Sequence, residues 1–281
     1  MQVTTLIENS PSARLAELEA EFGLSLHLDR GHERILFDTG ASGAFADNAA
    51  RLGIGLDRVD VAVLSHHHFD HGGGLGRFLE LNTRAKVYLR GCVPGDHWFR
   101  AFGIVRRRIG IDPVVLEAHR DRFVPVWEPI EVRPGVHLLT DLDQGFPRPR
   151  GNRHLFVERA GRVERDPIDH ELLMVVESSS GLVIISGCSH SGILNMVQAA
   201  VRRFPGIPVA AVFGGFHLIG IPGTMAGSRH EVEAIGREML RFKPGVVYTG
   251  HCTGQRGCRI LKDVMGDSLQ LLTTGTQVEV L

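Results

Sequence analysis

Hydrophobic positions along this 281-residue chain recur at two spacings, and the switches between them predict its elements. Residues 3–7 read as a short strand that stops at Glu8, Asn9, Ser10 and Pro11, and the polar stretch 12–21 as a short helix. Leu24, Leu26 and Leu28 alternate with polar residues, and Arg30-Gly31 turns the chain into Ile35, Leu36 and Phe37, which is a β-hairpin pattern. Phe45, Ala49 and Leu52 then recur at helical spacing. The apolar run 61–64 reads as a buried strand, Leu75, Phe78 and Leu79 as a helix, and 86–89 as a further strand.

From 91 to 152 the periodicity fails, and Arg, Pro, Gly and both tryptophans (Trp98, Trp127) crowd in. An irregular stretch of that length inside a compact unit predicts a lid or substrate-binding region. The second half is more regular. Strands at 172–177 and 182–186 flank a Ser-Ser-Ser-Gly turn, and a helix from Gly192 carries Ile193, Val197, Ala200, Val201 and Phe204 on one face until Pro205. A strand at 207–213 follows, then a helix over 228–242 with Val232, Ile235 and Met239 inward, and strands at 246–248 and 277–281. Strands precede helices in each half, so the expectation is one α/β domain over residues 1–281, with two βα layers packed sheet to sheet and helices outside.

Candidate chemistry concentrates at the end of the 61–64 strand. His66, His68, Asp70 and His71 lie within six residues in the pattern HxHxDH, followed by Gly72, Gly73 and Gly74. Imidazole and carboxylate suit zinc or iron, and one short loop can aim several such groups at a common centre. The glycines allow sharp bending and close backbone approach. Three later strands each end in glycine and histidine: Gly187-Cys188-Ser189-His190, Gly214-Gly215-Phe216-His217 and Gly250-His251-Cys252. Ligands collect beyond the carboxyl ends of strands in open α/β sheets, which makes these histidines candidates too.

The stretch Ser65-His66-His67-His68-Phe69-Asp70-His71-Gly72 resembles the signature of the metallo-β-lactamase fold superfamily. That resemblance implies a four-layer αββα sandwich in which His66 and His68 serve one metal and Asp70 and His71 a second. Asp38-Thr39-Gly40 resembles the superfamily's D-T-G, which supports the metal site from behind, although Asp38 could equally cap the helix that follows. The segments 187–193, 214–218 and 250–254 are similar to motifs of one branch. That branch is related to 7,8-dihydropterin-6-ylmethyl-4-(β-D-ribofuranosyl)aminobenzene-5′-phosphate synthase, and Glu21-Phe22-Gly23-Leu24-Ser25 resembles its E-H-G-L-S with Phe for His. The resemblance implies that His251 is the last ligand of the second metal. The chain departs from the superfamily where a third ligand of the first metal and a bridging Asp are usual. His190 is expected to take the former place; Cys188 either occupies the bridging place or is a small buried residue, the reading preferred here; and His170 reads as a solvated or supporting residue. His217 is expected to face the cavity and touch substrate or a metal-bound group, with a packed structural histidine as the alternative.

The totals narrow the function classes. A formal net charge of −1 argues against a general nucleic-acid or membrane-surface binder. Four cysteines without framework spacing, no apparent signal peptide and no apolar run near ~20 residues point to a cytoplasmic protein. Arg106, Arg107 and Arg108, with Arg148, Arg150 and Arg153, form two clusters that could bind phosphate or carboxylate or could simply be solvated. The combined expectation is a hydrolase with two divalent metals, zinc first with iron or manganese as alternatives. It would use a metal-bridging hydroxide on a small-molecule phosphoester, lactone or related ester, with Asp70 taking up the proton. A synthase that displaces diphosphate from a pterin donor, and a non-catalytic metal-binding sensor, are the competing classes.

Overall fold

The computed structural model describes residues 1–221 and 223–280. Two seven-stranded sheets lie face to face, and the alternation of side chains along their strands explains why both faces of each are apolar. In the strand Val61–Leu64, Val61 and Val63 enter the core between the sheets, whereas Ala62 and Leu64 pack outward under the helices Ala44–Arg51 and Leu75–Leu81. Leu173–Ser178 and Gly181–Ile185 do the same in the second sheet. Met174, Val176, Val183 and Ile185 point to the shared core, while Leu173, Val175, Leu182 and Ile184 meet the helices Ile193–Arg203, Arg229–Arg241 and Gly254–Met265. The result is the αββα sandwich.

In the first sheet the strands Arg34–Phe37, Val61–Leu64 and Lys86–Arg90 run parallel, so their carboxyl ends share one edge. In the second sheet Gly181–Ile185, Val209–Phe213 and Val246–Thr249 are likewise parallel. The HxHxDH loop and the three Gly-His ends leave from these edges.

Several sequence expectations need correction. Residues 12–21 form turns rather than a helix. The stretch 91–152 is ordered: it supplies the strands Phe123–Val126, Ile130–Arg133 and Val136–Leu139 to the two large sheets and the helix Pro113–Ala118. Its strands Asp96–Ala101 and Val105–Arg108 join Leu155–Arg159 and Arg162–Arg165 in a small four-stranded sheet. No sequence expectation covers the helix Gly254–Met265. The final strand is Gln277–Glu279, and Leu281 lies outside the described residues.

The small sheet is docked onto the loop that carries the histidines. Phe69 N donates to Ile109 O (2.7 Å), Ile111 N donates to His67 O (3.3 Å), and His68 bridges to Gly110. Among the described residues no helix is long and apolar enough to cross a membrane.

Candidate metal centre

Strand Val61–Leu64 ends at Ser65, whose side chain and amide bind Asp38 and thereby orient two histidines. Asp38 Oδ1 accepts from Ser65 N (2.7 Å), and Oδ2 accepts from Ser65 Oγ (2.7 Å) and lies 2.6 Å from His71 Nδ1. The D-T-G carboxylate therefore braces the site and does not cap the next helix, whose N-cap is Gly43. Gly187 lies against this platform. A Cβ there would stand 2.1 Å from Ser65 Oγ, so only glycine lets the second sheet come this close. Asp38, Ser189, His217 and His251 all hold positive φ, between +47° and +60°, a left-handed conformation that costs non-glycine residues on the order of 1–3 kcal/mol each. Such strain collects where side chains must converge.

The hydrogen bonds assign the ring tautomers. Ser65 Oγ has one hydrogen and gives it to Asp38, so at 2.8 Å it can only accept from His66 Nδ1–H. His71 Nδ1–H donates to Asp38. Asn152 uses its NH2 group on His190 O (2.8 Å), so its carbonyl oxygen accepts from His190 Nδ1–H (3.1 Å). Asn9 Oδ1 accepts from Gly23 N (3.1 Å) and, by the same logic, from His251 Nδ1–H (2.9 Å). In their neutral forms all four rings therefore turn an Nε2 lone pair inward.

Those lone pairs confront one another. His66 Nε2 and His190 Nε2 are 3.2 Å apart, and His71 Nε2 and His251 Nε2 are 3.1 Å apart. Around the second pair stand Cys188 Sγ, 3.2 Å from His71 and 3.3 Å from His251, and Asp70 Oδ2, 3.3 Å from His251 and 3.7 Å from His71. His68 Nε2 is buried beside the first pair with no hydrogen-bond partner, and both ring nitrogens of His217 share that condition. His217 stacks its ring edge on His190 at 4.1 Å.

A proton does not relieve the first confrontation. Burial, reinforced for His66 by His71, His68 and His190, pushes the pKa values of His66, His68 and His190 well below the usual value and keeps all three neutral. At the second pair burial acts the same way on His71 but is outweighed by Asp38 and Asp70, which raise it to about 9. Burial opposes ionisation of Asp70, yet His71 and His251 hold its pKa below the carboxylate range. A field that favours a proton on His71 also favours a metal cation. Four ligands about 2.0–2.3 Å from one ion lie about 3.3–3.8 Å apart at the tetrahedral angle, and the spacings above fall close to that range. The donor sets Asp70–His71–Cys188–His251 and His66–His68–His190, with Cys188–His190–His217 adjoining, thus fit metal ions.

A neighbouring group, His68–His97–Asp166–His170, is equally compact but differs chemically. His67 N donates to His170 Nδ1 (3.1 Å), which leaves His170 Nε2–H to donate to Asp166 Oδ2 (3.2 Å), where His97 Nδ1 also binds (2.8 Å). The carboxylate is satisfied by N–H donors, so this group is a brace for the loop and offers no cradle of facing lone pairs. His170, expected to be solvated or supporting, is fully buried and supports His67.

All six expected ligands and His217 meet at one place. Cys188 is buried, as preferred, but its sulfur also faces two of those histidines. Sequence reasoning missed Asn9, Asn152 and Glu171, whose carboxylate accepts from His190 N and Ser191 N (both 2.7 Å), and Glu8, which accepts from His251 N. Asn9 next to Glu8 at a strand end was visible only as a turn signal.

This fold and this cluster of candidate metal ligands define the class of protein. The chain belongs to the metallo-beta-lactamase superfamily, whose family model matches residues 20–251. It is 29% identical over 254 residues to the 7,8-dihydropterin-6-methyl-4-(beta-D-ribofuranosyl)-aminobenzene-5′-phosphate synthase of Methanocaldococcus jannaschii, covering 86% of this chain and 83% of that protein. The crystal structure of Tm1679, described as a metal-dependent hydrolase of the beta-lactamase superfamily, matches with 30% identity and a TM-score of 0.81 over 100% of this chain and 99% of that one. Zinc-bound PqqB from Methylobacterium extorquens shares the fold at 13% identity, with a TM-score of 0.55 and 100% of each chain covered.

Proposed function

We propose that the protein is a binuclear metal-dependent hydrolase acting on a phosphoester, lactone or related ester. The observation that carries this reading is the pair of facing Nε2 lone pairs, each held inward by a partner on Nδ1. His66, His68 and His190 would hold one ion, and Asp70, His71, Cys188 and His251 the other. Nitrogen and sulfur donors with a single carboxylate favour zinc or iron over magnesium or calcium. When bound there, two such ions would polarise an ester oxygen and lower the pKa of water to ~7, supplying a nucleophile at neutral pH.

The remaining work falls to the chain. Asp38 and Ser65 fix two tautomers, Asn9 and Asn152 fix two more, and burial excludes bulk water. Asp70, kept ionised, would take the proton of the attacking hydroxide and pass it to the leaving group as that departs. His217, with two buried nitrogens that no protein group satisfies, would contact the substrate beside His190.

A synthase is the second reading, supported by the activity of the Methanocaldococcus relative. There the same ions would hold a pterin donor's diphosphate. Turnover of a pterin diphosphate with an aromatic amine, set against hydrolysis of bis(4-nitrophenyl) phosphate and simple lactones, separates the two.

The direct test counts metals per chain by elemental mass spectrometry in wild type and His190→Ala, purified without chelator. Two ions in the wild type and about one in the variant are expected. Two in both would remove His190 from the ligand set, and one or none in the wild type would end the binuclear reading.

A further inference from the structure

Of the five histidines in the two donor sets, four have a hydrogen-bond partner that fixes the ring proton, and His68 has none. Among the described residues no hydrogen bond reaches its ring, and its Nε2 is buried without a partner. A neutral imidazole carries one proton and one lone pair, so an unpartnered ring can present either to an ion. His68 nevertheless belongs to two compact groups, His66–His68–His190 and His68–His97–Asp166–His170. Its ring lies between them, with centres 4.6 Å from His66 and 4.9 Å from His190, and 5.6 Å from His97 and 5.1 Å from His170.

Elimination finds an acceptor in the second group. Asp166 Oδ2 takes the protons of His97 Nδ1 (2.8 Å) and His170 Nε2 (3.2 Å), and Oδ1 accepts from Ile168 N (2.8 Å). His170 Nδ1 accepts from His67 N (3.1 Å), so both of its nitrogens are used. Burial lowers the pKa of His97 and keeps the ring neutral; burial opposes ionisation of Asp166, but His170 and His97 hold its pKa below the carboxylate range. Neutral His97 with its proton on Nδ1 has a lone pair on Nε2 that no hydrogen bond uses. Two five-membered rings that share one N–H···N bond of about 3 Å have centres about 5 Å apart. The observed separation of His68 and His97 is a small ring movement from that.

The backbone keeps the two rings together. Ile109 N donates to His97 O (2.8 Å), and the next residue, Gly110, bridges to His68. A Cβ on Gly110 would stand 3.3 Å from His97 N, so a side chain there would push the strand Asp96–Ala101 away from the loop.

We propose that His97 is the positioning residue of His68: its Nε2 lone pair, set by Asp166 on the opposite nitrogen, accepts the His68 ring proton and leaves the other His68 nitrogen as a lone pair for an ion. The inference deepens the binuclear reading and rests on it only for which ion that lone pair meets. It also gives the small sheet a task at the site, since docking of the sheet delivers His97 to His68.

Zinc binding across a chelator-buffered series, with nitrogen NMR of the imidazoles, tests this on the whole protein without turnover. Wild type should show His68 as a single tautomer, both metal-free and zinc-loaded. His97→Leu should weaken one of two zinc-binding steps about ten- to one-hundred-fold, the usual loss for an outer partner of a metal-binding histidine, and leave the other step in place. In the metal-free variant the His68 signals should average between tautomers. His97→Gln, whose carbonyl oxygen can accept in place of Nε2, should recover part of the loss. Equal zinc binding by wild type and His97→Leu overturns the proposal. So does an equal loss in both steps, which a loosened sheet would give, or a Gln variant no better than the Leu variant. If circular dichroism shows that His97→Leu does not fold, His97→Gln decides: a single His68 tautomer supports the proposal and an averaged one overturns it. A wild type that holds one ion ends the binuclear reading, and the His68 signals then decide this one. Hydrolysis of bis(4-nitrophenyl) phosphate is read separately: a His97-dependent zinc step without hydrolysis keeps the positioning role and removes the hydrolase, and hydrolysis with zinc binding indifferent to His97 removes only the positioning role.

Discussion

Replacing Asp38 with Asn alters almost no volume but reverses a chain of hydrogen bonds that ends at both candidate donor sets. If the amide keeps its oxygen toward Ser65 N, its NH2 takes the place of Oδ2, 2.7 Å from Ser65 Oγ and 2.6 Å from His71 Nδ1. Ser65 Oγ must then accept, and its own hydrogen turns to His66 Nδ1, 2.8 Å away. His66 and His71 would both have to move their proton to Nε2, which removes one inward lone pair from each donor set. Loss of an outer partner of a metal-binding histidine typically costs ten- to one-hundred-fold in affinity, about 1.4–2.7 kcal/mol. With one ring affected in each set, the two ions together should lose about 3–5 kcal/mol. The assay is metal content per chain across a chelator-buffered zinc series, with nitrogen NMR of the imidazoles reporting the tautomers and circular dichroism confirming the fold. A folded Asp38→Asn protein that binds two ions with wild-type affinity would refute the tautomer relay.

Two further outcomes follow from other groups. Cys188→Ser in the cobalt-substituted protein should abolish a sulfur-to-metal charge-transfer band in the near ultraviolet while the visible ligand-field bands persist; an unchanged near-ultraviolet band would show that the sulfur is not a ligand. His27, between Thr4 and Leu36 in the first sheet, has its pKa lowered to about 4, chiefly by burial. The unfolded chain, at about 6.5, binds the proton first, so His27 stabilises fully above that value and progressively less as pH falls towards 4. The gap is worth up to about 3 kcal/mol. The stability of wild type relative to His27→Leu, from urea unfolding, should therefore fall by up to that amount between pH 7 and 4, and a flat difference would contradict the assignment.

The sandwich was legible because its strands are buried on both faces and read as apolar runs. The elements that were not legible lack that signal. Val105–Arg108 is wholly exposed and carries three arginines, so no period marks it as a strand. In Gly254–Met265 the inward residues Cys258, Ile260, Leu261 and Met265 do recur at helical spacing, but Gly254 and Gly257 at its start mimic a loop. The stretch 12–21 failed in the opposite way. Its few apolar residues are held by turns, with only Leu18 buried, and intrinsic preference without a packing face does not hold a helix.

At the site the same division holds between donors and what aims them. HxHxDH and the Gly-His strand ends announce candidate metal-binding side chains by type and spacing alone. Which nitrogen each ring offers is decided elsewhere, by Asn9 across 242 positions from His251, by Asn152 across 38 from His190, and by Asp38 across 33 from His71. An asparagine after a strand is also an ordinary turn residue, and no local pattern separates the two uses. The tautomers exist only once two sheets have closed, with Gly187 permitting the approach at Ser65.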